Sequence, residues 1–527
     1  MPTSGGPTRH VLHDGPFRWS VPERMNIADL CCDSWAATHP DRVALVHVDE
    51  DGDDPWTYGE LKDASDGLAG ALAARGVGRG DRVALILAQG PEVLLGHLAT
   101  MKLGAIALPL FTLFGTDALA FRLRDSGAVA AICDAESAAK LAGLDLPDLA
   151  HVILAGDLAG LIAEAAPLDA MADTVADDPA LMVYTSGTTG SPKGVLHGHR
   201  VLIGHLPCIE GNHEGIGRPG FIDSDVGWTP ADWAWIGGLM NLALPCLYYG
   251  VRLVSRRMPK FDPDEAWRLI ARLGINRMFL PPTALRRMRT VPVPDGVAVR
   301  SIGSGGESLG ADLLRWGHEA LGAPVNELYG QTECNLVVGS RADAQRPGFI
   351  GQAVPGHVVA VLSADGTPAP TGEVGEIAVR RPDPSMFLRY WNRPDQTAAK
   401  FQGDWMRTGD LGRMDGDGYI AFHSRDDDVI TSAGYRVGPT EIEECLCSHR
   451  DVVQAAVVGI PDPDRTEAIT AFVVLREGAD AAGIEDALIA LVRARLSPHM
   501  APRAVHVLDA LPMTATGKVI RRELRAR

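Results

Sequence analysis

The chain has 527 residues, 46% of them hydrophobic and 22% charged, which is too long for one compact core and ordinary for a globular protein of two or more domains. Its 49 Lys+Arg against 67 Asp+Glu leave a formal net charge of −18, which argues against a nucleic-acid footprint and against a polybasic membrane patch. The eight cysteines form no Cys-x-x-Cys pair, so no zinc site is expected, and Met1 to Pro7 lacks the apolar core of a secretory signal, so the protein is expected to be cytoplasmic.

From about residue 20 to 175, strand-like and helix-like runs alternate. Val43 to His47 and Val83 to Leu87 read as strands, and Glu92 to Leu103 and Leu119 to Ser126 as helices. The alternation predicts an α/β unit with a mostly parallel sheet. Ala180 to Tyr184 is a short apolar run that predicts a buried strand delivering the polar loop Thr185-Ser186-Gly187-Thr188-Thr189-Gly190-Ser191-Pro192-Lys193. Glycines let backbone N–H groups turn inward, hydroxyls add donors, and a lysine adds a mobile point charge, a mixture that suits a polyanion such as a phosphate chain. The spacing is not that of a Walker A loop.

Trp228, Trp233 and Trp235 fall within eight positions of a chain that has ten tryptophans, and such rigid rings make walls for an apolar pocket or pack a core. Trp233 to Val251 is uncharged and long enough to span a bilayer, yet it holds Gly237, Gly238, Asn241, Pro245 and Gly250. It is therefore read as a buried helix and strand, with no integral membrane segment. Arg277 to Pro282 reads as a strand stopped by prolines, and Val299 to Ile302 leads into Gly303-Ser304-Gly305-Gly306-Glu307. Tyr329-Gly330-Gln331-Thr332-Glu333 places one carboxylate of the kind that holds Mg²⁺ beside hydroxyl and aromatic groups. Between Gly356 and Ile420 the glycine-rich sequence predicts a small β-subdomain that carries Thr408-Gly409-Asp410. Beyond the charged run Arg425-Asp426-Asp427-Asp428, Thr440 to Cys447 reads as a helix, and Val453 to Ile460 and Ala468 to Leu475 as strands. The chain closes on Pro512-Met513-Thr514-Ala515-Thr516-Gly517-Lys518.

These motifs, in this order, resemble the AMP-forming adenylating enzymes: acyl-CoA synthetases, luciferases and peptide-synthetase adenylation domains. The stretch Arg425 to Glu443, including Ser432 to Pro439, is most similar to that of the acetyl and medium-chain acyl-CoA synthetases. The resemblance implies an α/β fold: a large N-terminal domain, 1–426, of two α/β subdomains plus the small β-subdomain, and a mobile α+β C-terminal domain, 427–527. It implies an acid–CoA ligase that uses ATP, Mg²⁺ and CoA. Thr185, Ser186, Gly187, Thr188, Thr189, Gly190 and Lys193 would hold phosphates. Gly305, Gly306, Glu307 and Tyr329 would edge the adenine, with Gln331 in the nucleotide site, and Asp410 and Arg425 would hold the ribose. Thr332 would meet the α-phosphate, Glu333 would hold Mg²⁺, and Lys518 would bridge carboxylate and phosphate. Asp427 would be the hinge, with Gly434 and Arg436 presented to CoA.

Trp228, Trp233, Trp235 and Gly330 would line the acid pocket, and glycine at 330, where acetyl-CoA synthetases carry tryptophan, is expected to leave room for medium-length acids. The resemblance also makes Lys518 a target for a lysine acetyltransferase and deacetylase. Ser424 and Ala433 depart from the family pattern. Rival readings are a ligase for an aromatic or other specialised acid, an amino-acid-activating domain anchored at Asp232, and a nucleotide-binding regulator without turnover.

Overall fold

The computed structural model describes residues 11–12, 16–185, 192–306, 309–425, 428–432, 435–462, 466–496, 500–514 and 518–527, with backbone alone at 425, 431, 435, 436, 441 and 466. Ser186, Gly187, Thr188, Thr189, Gly190, Glu307, Asp427 and Gly434 thus lie outside the described residues.

Three sheets organise the described residues. The first has seven strands in the order Arg389–Tyr390, Lys193–Gly198, Pro179–Thr185, Ile106–Pro109, Arg82–Ile86, Ala130–Cys133 and His151–Leu154. The last five run parallel, because helices such as Pro91–Lys102 and Thr116–Ser126 return the chain, whereas Lys193–Gly198 and Arg389–Tyr390 add antiparallel at one edge. The second sheet has 14 strands. Its parallel half joins Val43–Val48, Arg252–Arg256, Val226–Trp228, Arg277–Phe279, Ser301–Gly305 and Val325–Gln331. Antiparallel strands then continue it without a break through Asn335–Gly339, Gly351–Ala353, Tyr419–Arg425, Trp405–Met414, Val374–Arg380 and Val359–Leu362. The β-subdomain read from residues 356 to 420 is this extension. A separate five-stranded sheet is built from Ile430–Ser432, Tyr435–Val437, Val452–Asp462, Thr466–Leu475 and Ala504–Val507.

Local signals account for many of the elements. Thr57 caps the helix Tyr58–Ala73 in a reciprocal box with Glu60, and the buried Tyr58 hydroxyl donates to Leu247 O at 2.7 Å. Asp262 caps Pro263–Leu273 by accepting from the amides of Asp264 and Glu265. The uncharged stretch folds as Ile236–Gly238, a π-helical turn Leu239–Ala243 and Leu244–Tyr249, running on as one buried helix before the strand Arg252–Arg256. No helix among the described residues is long and apolar enough to cross a membrane. Leu45 and Leu253 from one sheet, Leu85 and Leu181 from the other, and Leu98, Leu206 and Leu242 from helices share one core. The cysteines are free thiols, all but Cys447 buried.

In open α/β sheets ligands bind outside the carboxyl ends of the strands. The stretches 186–192, 229–235, 306–309 and 331–333 all begin where a strand ends. The opposite ends carry a buried ion cluster. Arg277 and Asp225, both almost fully buried, pair at 3.1 Å, Arg300 reaches the same Asp225 oxygen at 3.0 Å, and Arg277 also donates to His213 O at 2.6 Å. Removing one member leaves desolvated charge uncompensated, so Asp225→Ala is expected to lower the unfolding free energy by about 3–5 kcal/mol, read from urea denaturation.

Candidate active site

The site grows from two strand ends. Pro179–Thr185 pairs antiparallel with Lys193–Gly198, in register Thr185 to Lys193, so Lys193 returns beside Thr185. At the end of Val325–Gln331 the chain turns through Thr332 and Glu333 and re-enters the sheet at Asn335.

Two groupings meet at this second turn. The Tyr329 hydroxyl donates to Asp410 Oδ2 at 2.7 Å, and the Gln331 amide donates to Thr408 O at 3.0 Å and to Asp410 Oδ2 at 3.4 Å. Asp410 is set by a tight bend: Gly409 has φ +79°, its amide donates to Glu376 Oε1 at 2.8 Å, and the Asp410 amide donates to Thr408 Oγ1 at 3.1 Å. Arg425 lies opposite Asp410 in the strand register, and Phe422 faces Tyr329 at 6.4 Å between ring centroids. Burial and the neighbouring Asp410 hold the Tyr329 phenol well above its ordinary pKa, so it remains a donor.

In the second grouping the Glu333 carboxylate accepts the Tyr390 hydroxyl, Glu333 O accepts the Phe387 amide at 2.7 Å, and the Lys193 ammonium lies 4.9 Å from the Tyr390 ring centroid. His197 lies beside the Thr332 backbone, and burial pushes its imidazole down to about 3, so it is neutral at physiological pH. Tyr390, Phe422, Glu376 and His197 were not marked by any motif.

Gly305 and Gly306 provide bare backbone. A Cβ on Gly305 would lie 2.3 Å from Leu328 O, whereas Gly306, at φ +94°, has nothing within 4 Å of where a Cβ would stand. An open space over bare backbone suits a flat ring. Of the three tryptophans, Trp228 and Trp233 are almost fully buried and belong to two different apolar cores. Trp235 is partly exposed and meets Phe111 and Phe114 at 5.9 and 5.8 Å. The Asp232 carboxylate accepts the Ala234 amide at 2.7 Å, and desolvation pushes its pKa up to about 6.

Gly330 corrects an expectation. The space in front of it is not open: a Cβ there would stand 1.0 Å from Asn335 O and 2.1 Å from Asn335 C. The strand shifts register between Tyr329 and Gly330, and Asn335 takes φ +42° with its amide donating to Asn241 Oδ1 at 2.7 Å. Glycine is therefore required by the returning strand and not by a ligand.

Lys518 is exposed on a hairpin in which Thr514 N donates to Lys518 O at 2.7 Å and Lys518 N donates to Thr514 Oγ1 at 3.0 Å. Just beyond it, Arg521 and Arg525 pair with Asp428 at 3.4 and 3.1 Å, and Arg521 pairs with Glu443 at 2.7 Å. These bonds fasten the hairpin to the first described residue after the proposed hinge. Arg436 contributes only its backbone to this description.

The chain matches the profile of the AMP-binding enzyme family over residues 32–391 and that of the AMP-binding enzyme C-terminal domain over residues 441–518. It is 32% identical to the acetyl-coenzyme A synthetase of Bacillus subtilis (strain 168) across 92% of this chain and 87% of that one. It is also 32% identical to the mitochondrial acyl-coenzyme A synthetase ACSM2 of Rattus norvegicus, across 97% and 94%. Its fold matches the crystal structure of the anthranilate CoA ligase AuaEII in complex with anthranoyl-AMP with a TM-score of 0.88 at 26% identity, covering 96% of this chain and 98% of that one.

Gly330→Ala is expected to cost about 1–3 kcal/mol or more, because backbone must move to admit the methyl. It should lower kcat/KM for acetate, butyrate, hexanoate and octanoate alike; a selective loss of the longer acids would restore the open-pocket reading. A second expectation concerns Glu327, whose carboxyl accepts the Leu309 amide and is pushed from 4.5 up to about 8 by burial, reinforced by Glu444. A raised folded pKa gives stability that is fully present below pH 4.5 and is lost as pH rises towards 8. Glu327→Gln should remove that decline, so urea midpoints of variant and wild type diverge between pH 5 and 8 in favour of the variant.

Proposed function

The chain belongs to the AMP-binding enzyme family and is an AMP-forming acyl-CoA synthetase, and from that premise we propose that it activates short- to medium-chain fatty acids through an acyl-adenylate. The observation that carries the site assignment is the turn Tyr329 to Glu333, whose one end engages Asp410 and whose other end engages Tyr390 beside Lys193. Similarity to an acetyl-coenzyme A synthetase supports the fatty-acid reading. The aromatic cluster of Trp235, Phe111 and Phe114, together with the likeness to an anthranilate CoA ligase, supports an aromatic acid as the second reading.

In the first step an oxygen of the acid's carboxylate bonds to the α-phosphorus of ATP, and the bond to pyrophosphate breaks. Two anions must meet, so preorganised positive groups supply most of the acceleration and positioning the rest. Lys193, returning beside the phosphate loop, neutralises phosphate oxygens. Thr332 donates to the α-phosphate, and Asp410, with two acceptor oxygens and no donor, accepts the ribose hydroxyls. Glu333 fits a Mg²⁺ site of the kind in which one carboxylate shares the ion with substrate phosphates, since only one of its oxygens is engaged by Tyr390. When bound there, the ion supplies charge neutralisation of the triphosphate.

In the second step the CoA sulfur bonds to the adenylate carbonyl carbon and AMP leaves. The C-terminal unit, 427–527, turns about Asp427 between the steps, withdrawing Lys518 and bringing Gly434 to Arg436 towards the pantetheine. Lys518→Ala should therefore abolish adenylate formation, measured as acid-dependent pyrophosphate release, and largely spare thioester formation from supplied acyl-adenylate. Equal loss in both half-reactions would remove Lys518 from this role. The same pyrophosphate assay across acetate, butyrate, hexanoate, octanoate and benzoate decides between the two acid classes, and a chain that releases no pyrophosphate with any acid and CoA would be a nucleotide-binding regulator.

A further inference from the structure

Lys193 and Glu333 lie against the same phenol, yet they make no ion pair with each other. The Tyr390 hydroxyl donates to Glu333 Oε1, and the Lys193 ammonium sits over the Tyr390 ring at 4.9 Å from its centroid. Glu333 is 8% exposed, so its carboxylate is largely out of water and seeks a partner. A nearby lysine is the obvious partner, and a direct pair would consume the charge that each residue needs for a ligand.

The backbone around Tyr390 holds the ring between them. Leu388 N donates to Leu196 O and Trp391 N to Gly194 O, each at 2.7 Å, so the segment is fixed to the very strand that begins with Lys193. Three residues before Tyr390, Phe387 N donates to Glu333 O, also at 2.7 Å. On the other flank Arg200 donates to Asp383 O, Pro384 O and Met386 O at 2.7 to 2.9 Å. The ring is thus placed by main-chain bonds to both of the elements it separates.

We propose that Tyr390 is a positioning residue that keeps Lys193 and Glu333 from neutralising each other: its hydroxyl fixes one carboxylate oxygen, its ring face holds the ammonium, and both charges remain available to the triphosphate and its divalent cation. The inference rests on the assignment of Glu333 to Mg²⁺ and of Lys193 to phosphate made above.

The test uses the full chain and calorimetric ATP binding with and without Mg²⁺, alongside the two half-reactions. Tyr390→Phe keeps the ring and loses the hydroxyl. It should raise the Mg²⁺ concentration needed for half-maximal ATP binding about tenfold, the usual effect of removing an outer-shell partner, and leave Mg²⁺-free ATP affinity unchanged. Tyr390→Leu removes the ring as well, so Lys193 pairs with Glu333 and ATP affinity falls even without Mg²⁺. Adding Glu333→Gln to Tyr390→Leu should restore the Mg²⁺-free affinity, an outcome that mere loss of packing would not give. Both single variants should retain thioester formation from supplied acyl-adenylate. Wild-type Mg²⁺ dependence and ATP affinity in both variants, or no rescue by Glu333→Gln, would overturn the inference alone. ATP binding by the unaltered protein that ignores Mg²⁺ would overturn the Glu333 assignment and the inference with it.

Discussion

The hydrogen bonds made by the main chain of residues 387 to 391 tie one large sheet to the other. They run to Leu196 and Gly194 on the strand next to Arg389–Tyr390 in the seven-stranded sheet and to Glu333 at the turn that ends a strand of the 14-stranded sheet. Each bond alone is worth only about 1 kcal/mol net. Their effect is geometric. Lys193 belongs to one sheet and Glu333 to the turn at the end of a strand of the other, and a shared strap sets their separation without a direct contact.

Close backbone approach is the second constraint. Gly305 stands against Leu328 O, and Gly330 against Asn335 O, so the strands that carry the nucleotide-edge and the Thr332–Glu333 turn are nearer to their neighbours than any side chain permits. Asn335 adopts its left-handed backbone with its amide held by Asn241, which sits on the π-helical turn of the buried helix. The turn is therefore braced by Asn241 as well as by Asp410. At the far end of the same strands, the pairing of Asp225 with Arg277 and Arg300 leaves the rigid part of the sheet away from the loops.

The C-terminal unit has its own logic. Its sheet packs around Val457, Ile469 and Val473, and the terminal helix Arg521–Arg525 is fastened to Asp428 and Glu443 by ion pairs. Lys518, only three positions before that helix, is thereby held in fixed relation to Asp428. A rotation at Asp427 would carry the lysine as part of a rigid body, which is what a two-step reaction with one mobile lysine asks of the fold.

Much of this was legible in the residues themselves. The strands Pro179–Thr185 and Arg277–Phe279 and the helix Pro439–Cys447 follow from local pattern, because prolines and apolar runs act within a few positions. The motif order likewise identified the family. Tertiary structure alone decided three matters. Val43–Val48 belongs to the second sheet and not to the first, since its partner Arg252–Arg256 is brought in by long-range packing, as in the bond from His47 to Ser255 across 208 positions. Gly330 serves a returning strand, and a residue with no side chain cannot announce whether the space it leaves is for a ligand or for backbone. Tyr390 enters the site from 57 positions beyond Glu333, and its hydroxyl acquires a role only because two sheets place a carboxylate and an ammonium on the same ring. Sequence patterns record forces that act between neighbours in the chain, whereas these three outcomes depend on which distant surfaces the shared core presses together.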